Sequence, residues 1–238
     1  MSTVAILAYH RVGSPGPSGW ETWFQIPEST FASHLATLAD GGWEVLGADR
    51  FLDGLADPTA LPERAAVITF DDGHSCVLEV ALPHLRESGF PAVLFMPSDF
   101  VGGSNEFDLG SEPEGRLCDW AELRQLARAG VSIHSHCASH RALSELSPLE
   151  RREELTRSKA VLEAGTGASI DMLSFPFGDD ADGGLRRELD EIGYRAAFLY
   201  GGYQLRAPAA DRYRLPRVAM GADTDLRATL AEATAGAA

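Results

Sequence analysis

Short apolar runs of strand length alternate along the chain with stretches whose apolar residues recur every three or four positions. Residues 4–8 form the first run, and a Gly/Pro/Ser-rich loop, GSPGPSGWETW, follows it. Phe31, Leu35 and Leu38 then recur at helical spacing. Asp40-Gly41-Gly42 ends that helix, and residues 43–46 can form a strand. Residues 65–70 predict a second clear strand, 75–87 a helix closed by Ser88-Gly89, and 92–96 a strand. Residues 101–117 are a long loop rich in glycine and acidic residues. The rhythm then repeats: a helix over 119–129 with Asp119 as N-cap, a strand over 131–135, and a helix from Ser147-Pro148 to about 164. A strand over 172–175, a helix over 185–192 and a strand over 195–199 follow. The tail after Asp223 has a weak helical pattern ending in TAGAA.

This alternation predicts parallel strands joined by crossover helices, in an α/β barrel or a doubly wound sheet. In both, function gathers at the carboxyl ends of the strands. No internal repeat, linker or second core interrupts the pattern. Residues 1–222 are therefore expected to form a single domain, with 223–238 as a C-terminal tail.

With 238 residues, 45% of them hydrophobic and 23% charged, the chain has the balance of an ordinary globular protein. Its net charge of −15 lacks the basic footprint of a nucleic-acid binder and is repelled by anionic membrane surfaces. No apolar stretch approaches the roughly 20 residues of a membrane span. The opening MSTVAILAYHRV has no early Lys or Arg, and its apolar run is too short for a signal peptide, so a cytoplasmic location is expected. Cys76, Cys118 and Cys137 are odd in number and widely spaced, which argues against a disulfide scaffold and for a reducing compartment.

Chemistry-bearing residues cluster after the predicted strands. The strand over 65–70 runs into Asp71-Asp72-Gly73. That tripeptide is good turn chemistry, but two adjacent carboxylates after a buried strand repel unless a cation or a shared proton relieves them. The strand over 131–135 runs into His134-Ser135-His136-Cys137-Ala138-Ser139-His140. On one helical turn His136 and His140 would share a face, roughly 6 Å apart along the axis, a spacing suited to two imidazoles on one metal ion. An Asp with two His makes an open site for Zn²⁺, although Co²⁺, Ni²⁺ and Fe²⁺ accept the same donors. His134 would share a face with His136 on an extended backbone, as a packing or supporting residue rather than a third ligand. Ser174-Phe175-Pro176-Phe177-Gly178 and Ala8-Tyr9-His10-Arg11 are two further clusters at strand ends. His34 and His84 fall on helices and Trp120 in the core. Trp20, Trp23 and Phe24 follow His10, where aromatics either anchor the loop or stack on a sugar ring.

The ordered set TFDDG, HCASH and FPFG resembles the polysaccharide deacetylases, the NodB-homology domain of carbohydrate esterase family 4, over about residues 4–218. The resemblance implies a distorted (β/α)₇ barrel and a metal-dependent hydrolase that removes an N- or O-linked acetyl group from an acetylated sugar or a small glycosylated precursor. It makes Asp71 the general base. Asp72, His136 and His140 become ligands of one divalent metal, Zn²⁺ first. The Pro176-Phe177 loop becomes the donor of a backbone N–H to the oxyanion. Two features depart from the usual pattern. Ser174 stands where the family has an Arg that orients the base, and no His follows His140 to act as general acid. Part of the family carries an early YH motif instead, which His10 in AYHRV resembles, so His10 is expected to be the acid, with neighbouring carboxylates raising its pKa. Arg217, in RLPRV, is the candidate for the missing Arg, and His74 a candidate cleft residue. Two other readings remain open: a same-fold amide hydrolase acting on a non-sugar small molecule, and a non-catalytic carbohydrate-binding relative.

Overall fold

The computed structural model describes residues 2–15, 22–202, 205–209 and 211–235. In chain order the elements begin with β1 (Thr3–Tyr9), β2 (Arg11–Val12), β3 (Gln25–Ile26), α1 (Glu28–Asp40), β4 (Glu44–Val45) and α2 (Ala48–Ala56). Next come β5 (Arg64–Phe70), α3 (Leu82–Ser88), β6 (Ala92–Met96), α4 (Trp120–Arg128) and β7 (Val131–Ser135). The chain continues through α5 (Pro148–Thr166), β8 (Met172–Ser174), α6 (Arg186–Ile192), β9 (Ala196–Phe198), β10 (Leu205–Arg206), β11 (Val218–Ala219) and α7 (Leu226–Ala235).

The sheet runs β10-β1-β5-β6-β7-β8-β9, with β4 beside β5 and β11 beside β1. All of its pairings are parallel except the antiparallel contact of β10 with β1. Residues 212–219 bring its two ends together. Leu215 exchanges hydrogen bonds with Ala197 and Leu199, and Val218 and Ala219 then pair with Leu7 and Ala8. The result is a distorted (β/α)₇ barrel in one body.

Side-chain alternation along each strand sorts the apolar residues into two cores. Ala5, Leu7, Ile68, Leu94, Ile133 and Leu173 face the helices. Val4, Ile6, Val67, Phe95, Met172 and Phe198 fill the barrel interior. The strand lengths and the caps follow the sequence closely. Asp119 and Ser147 each close a capping box, with Glu122 and Glu150 respectively.

Three features depart from the sequence expectation. The predicted helix over 75–87 opens as a π turn over Val77–Ala81 before α3. Pro83 cannot donate to the Glu79 carbonyl, and the wider turn accommodates its ring. The short helix α2 was not expected: it places Phe51 and Leu52 into the interior core, with the Phe51 ring stacked on Phe198 at 5.9 Å. The two-residue strands β10 and β11 are too short for any periodicity to announce. In the tail, Leu226 and Leu230 of α7 are buried in the helix-facing core. His34 of α1 contacts the Thr224 carbonyl at 3.1 Å.

Candidate active site

The functional side chains stand where the interior series of each strand continues past its last residue. His10 follows β1, Asp71 β5, His136 β7 and Tyr200 β9, while Ser174 ends β8. His10, Asp71, His136 and Tyr200 line one cavity of about 210 Å³, with Trp23 and Phe177 at its edge and Asp108, Ser111 and Glu112 of the 101–117 loop along another wall.

Adjacent in sequence, Asp71 and Asp72 are separated by the backbone. Asp72 has φ 67° and Gly73 φ 78°, so the chain reverses directly after Asp71. Asp tolerates this region because its short polar side chain bonds locally, whereas a Cβ on Gly73 would lie 1.9 Å from Met96 Sδ. The turn sends the two carboxylates to different partners and so relieves the repulsion expected from sequence.

Asp71 meets Arg217. The guanidinium donates to Oδ1 at 2.8 Å and to Oδ2 at 2.6 Å, and also to Thr69 Oγ1, Ser174 Oγ and the Leu199 carbonyl. Ser174 Oγ reaches Asp71 Oδ2 at 3.3 Å. Arg217 is fully buried, which excludes a surface ion pair. Burial alone would raise the Asp71 pKa, but Arg217 and His136 override it and hold the carboxyl below its ordinary value.

Asp72 meets the two histidines. His136 Nδ1 lies 2.7 Å from the Ser174 carbonyl, a contact that only an N–H can make, so Nδ1 carries the proton. In the neutral ring the Nε2 lone pair faces Asp72 Oδ1 at 3.4 Å, and His140 Nε2 lies 3.3 Å from the same oxygen. Ligand atoms of all three residues lie within 4.8 Å of one another, and all three side chains are buried. Acceptors converging at this spacing need a cation or protons between them, and two imidazole nitrogens with one carboxylate oxygen are the donor set of a divalent transition metal. The residues present therefore fit such an ion.

His136–His140 is a loop, not the helical turn considered from sequence. Cys137 has φ 61° and His140 φ 57°, a backbone no helix contains. Buried Glu154 of α5 holds the loop. Its carboxylate accepts from the backbone N–H groups of Ala138 and Ser139, at 3.0 and 2.8 Å, and from Ser139 Oγ at 2.8 Å. Glu154→Ala is expected to cost about 2–3 kcal/mol of stability. It should also weaken metal affinity about tenfold, measured by competition with a chelating dye. The His140 ring is wedged between Phe107 at 4.1 Å and Phe177 at 5.0 Å.

His10 packs on Phe24 at 4.9 Å and edge-on to Tyr200 at 5.3 Å, and its Nδ1 is buried without a hydrogen-bond partner. Burial lowers its pKa more than Asp72 and Asp71 raise it, the reverse of the rise expected from sequence. His74 does not line the cavity. It is buried behind Asp72, accepts from Arg11 Nε at 3.2 Å, and its pKa falls to about 3, through burial first. His134 lies deeper on the interior face of β7, where Nδ1 accepts from the Asp171 N–H at 3.3 Å.

Phe177 turns through φ 59° and is 63% exposed, while Pro176 is buried. Trp23 lies 6.0 Å from the Tyr200 ring, and Trp20 lies outside the described residues. Sequence reasoning missed Tyr200, Glu154 and the role of the 101–117 loop as a wall. For Tyr200 the signal was present, since it continues the Ala196-Phe198 alternation. The described residues contain no helix long and apolar enough to cross a membrane, and the three cysteines are unpaired.

A family model described as polysaccharide deacetylase matches residues 59–197. The Bacillus subtilis protein YxkH, named as a polysaccharide deacetylase, is 28% identical over 173 residues, which cover 73% of this chain and 56% of that protein. The poly-β-1,6-N-acetyl-D-glucosamine N-deacetylase of Staphylococcus epidermidis is 22% identical, over 91% of this chain and 78% of that protein. The Escherichia coli K12 protein of the same name is 24% identical over 55% of this chain, a match that spans 20% of its own length. Among solved structures, the Streptococcus pyogenes deacetylase PplD in complex with acetate superposes with a TM-score of 0.83 at 18% identity, covering 97% of both chains. IcaB from Ammonifex degensii gives 0.78 at 22% identity, also covering 97% of both. At these identities the structural likeness establishes the fold.

Proposed function

The chain belongs to the polysaccharide deacetylase family, and from that premise we propose that it hydrolyses an acetyl group from an acetylated amino sugar, with a divalent metal held by Asp72, His136 and His140. One juxtaposition carries the proposal: an ion-paired carboxylate, Asp71, stands beside a converging Asp/His/His set in a single cavity. The names of the Staphylococcus and Escherichia relatives favour an N-acetylglucosamine unit over an O-acetyl ester. Zn²⁺ suits the donors best, and when bound the ion supplies Lewis acidity toward the acetyl carbonyl and the attacking water.

The chain's own residues do the rest. The bidentate pair with Arg217 keeps Asp71 ionised and fixes its plane, so an Asp71 oxygen can take the proton of the attacking water. The Phe177 backbone N–H donates to the developing oxyanion. The His10 imidazolium gives its proton to the leaving nitrogen. With its pKa lowered by burial, His10 is a strong acid once protonated and a minority species at neutral pH. Trp23 and Phe177 offer apolar faces at the cavity mouth for a pyranose ring.

His10→Ala is expected to lower turnover of an acetamido sugar by roughly 10²–10⁴-fold while metal content stays near wild type. The loss should shrink on an acetyl ester with a good leaving alcohol. An equal loss on both substrates would remove His10 from the acid role. The function itself is tested by acetate release from β-1,6-linked N-acetylglucosamine oligomers compared with a simple non-sugar acetamide. Release from the oligomer alone supports the proposal, and release only from the acetamide would reassign the enzyme to a small-amide hydrolase.

A further inference from the structure

Arg11 is the residue after His10, and the strand alternation turns it the other way. His10 lines the cavity, while Arg11 lies buried behind the cavity wall, 8% exposed. Its Nε donates to His74 Nε2 at 3.2 Å, and its Nη2 donates to the Pro113 carbonyl at 2.7 Å. Pro113 belongs to the loop that carries Asp108, Ser111 and Glu112 to the cavity. That loop is clasped by Asn105, whose N–H donates to the Gly115 carbonyl at 3.2 Å and whose Oδ1 accepts from the Gly115 N–H at 2.7 Å. The guanidinium lies against the clasp: a Cβ on Gly115 would stand 2.4 Å from Arg11 Nη2. The Arg11 backbone pairs in β2 with Gln25 of β3, just after Trp23 and Phe24, which also line the cavity. One residue thus ties both walls of the cavity to the strand end that carries His10.

We propose that Arg11 is a positioning residue that fixes the distance between the two walls and so sets substrate affinity; this rests on the deacetylase reading of the cavity. The chemical reason is the fork of the guanidinium. Two separate N–H groups reach two acceptors in fixed directions, one on the turn behind Asp72 and one on the loop. Lys has a single nitrogen on a flexible stem and cannot span both with the same geometry. Without the side chain, His74 Nε2 loses its donor and the Pro113 carbonyl keeps only the longer contact from Asn105 Nδ2 at 3.3 Å, while the three metal-facing residues keep their own partners.

Arg11→Met is expected to raise KM for an N-acetylglucosamine oligomer about tenfold, with kcat changing by less than about threefold and metal content unchanged. Arg11→Lys should fall between the two. Gly115→Ala disturbs the same contact from the loop side and should raise KM likewise, and it serves if Arg11→Met does not fold. The double variant should be no worse than Arg11→Met alone, because both changes act on one contact. Amide hydrogen exchange of the zinc-loaded protein gives a readout that needs no turnover: Asn105 and Gly115 should exchange faster in either variant, with residues 136–140 unchanged. Absence of acetate release by the wild type counts against the deacetylase reading, and the exchange comparison still decides the role of Arg11. A fall in kcat at constant KM, or unchanged exchange at Asn105 and Gly115, overturns the proposal.

Discussion

Asp71→Asn is expected to lower turnover by at least about 10²-fold and to leave metal content near wild type, whereas Asp72→Asn empties the metal site. The two neighbours differ because the turn at Asp72 and Gly73 gives them different partners. An amide in place of the Asp71 carboxylate has one oxygen that can still accept from Arg217. Its NH₂ would face a second guanidinium N–H, where Asp71 Oδ2 now accepts at 2.6 Å. The variant therefore loses the base and also sets donor against donor. Single-turnover rates and elemental analysis of both variants check this. Equal metal loss in the two would mean that their roles are divided differently.

Arg217→Met is expected to be the most destabilising single change, by about 3–5 kcal/mol, because it leaves the buried Asp71 carboxylate without its counter-charge. The pH dependence follows from the direction of the Asp71 shift. In the wild type the folded-state pKa is lowered, so the pair contributes stability above the unfolded carboxyl value and loses it as pH falls through the folded one. In the variant burial acts unopposed by Arg217 and raises the folded-state pKa, so the penalty is greatest near neutral pH. It fades below about pH 4, where the carboxyl is protonated in both states. Denaturant melts of the chelator-treated protein at pH 7 and pH 4 measure the difference. A gap between wild type and variant that stays constant with pH would show that lost packing, not charge, dominates.

Much of the architecture was legible because strand alternation and strand-end chemistry are local signals. TFDDG, HCASH and FPFG each follow a recognisable apolar run, and the structure brings all three to one cavity. Long-range relations are not local signals. Arg217 is a candidate only through the family resemblance, and it reaches Asp71 across 146 positions from the residue before β11, a strand of two residues with no period of its own. Ser174, where an Arg was expected, accepts from that same Arg217 and reaches Asp71, so the guanidinium arrives from elsewhere in the chain at the same carboxylate. The spacing of His136 and His140 fits a helix as well as a loop, and partners supplied by α5, Glu154 to the Ala138 and Ser139 N–H groups and Ser158 to the Cys137 carbonyl, decide for the loop. Burial reversed the direction expected for His10, since carboxylates nearby are visible in sequence and desolvation is not.

The central claim, that the Asp72, His136 and His140 set makes acetyl removal metal-dependent, is tested most directly by titrating metal into chelator-stripped protein while acetate release is followed. Activity should rise from background in proportion to bound Zn²⁺ and saturate at about one ion per chain, with His136→Ala and His140→Ala failing to respond. Full acetate release by the stripped protein, or saturation of metal binding with no change in rate, would contradict it.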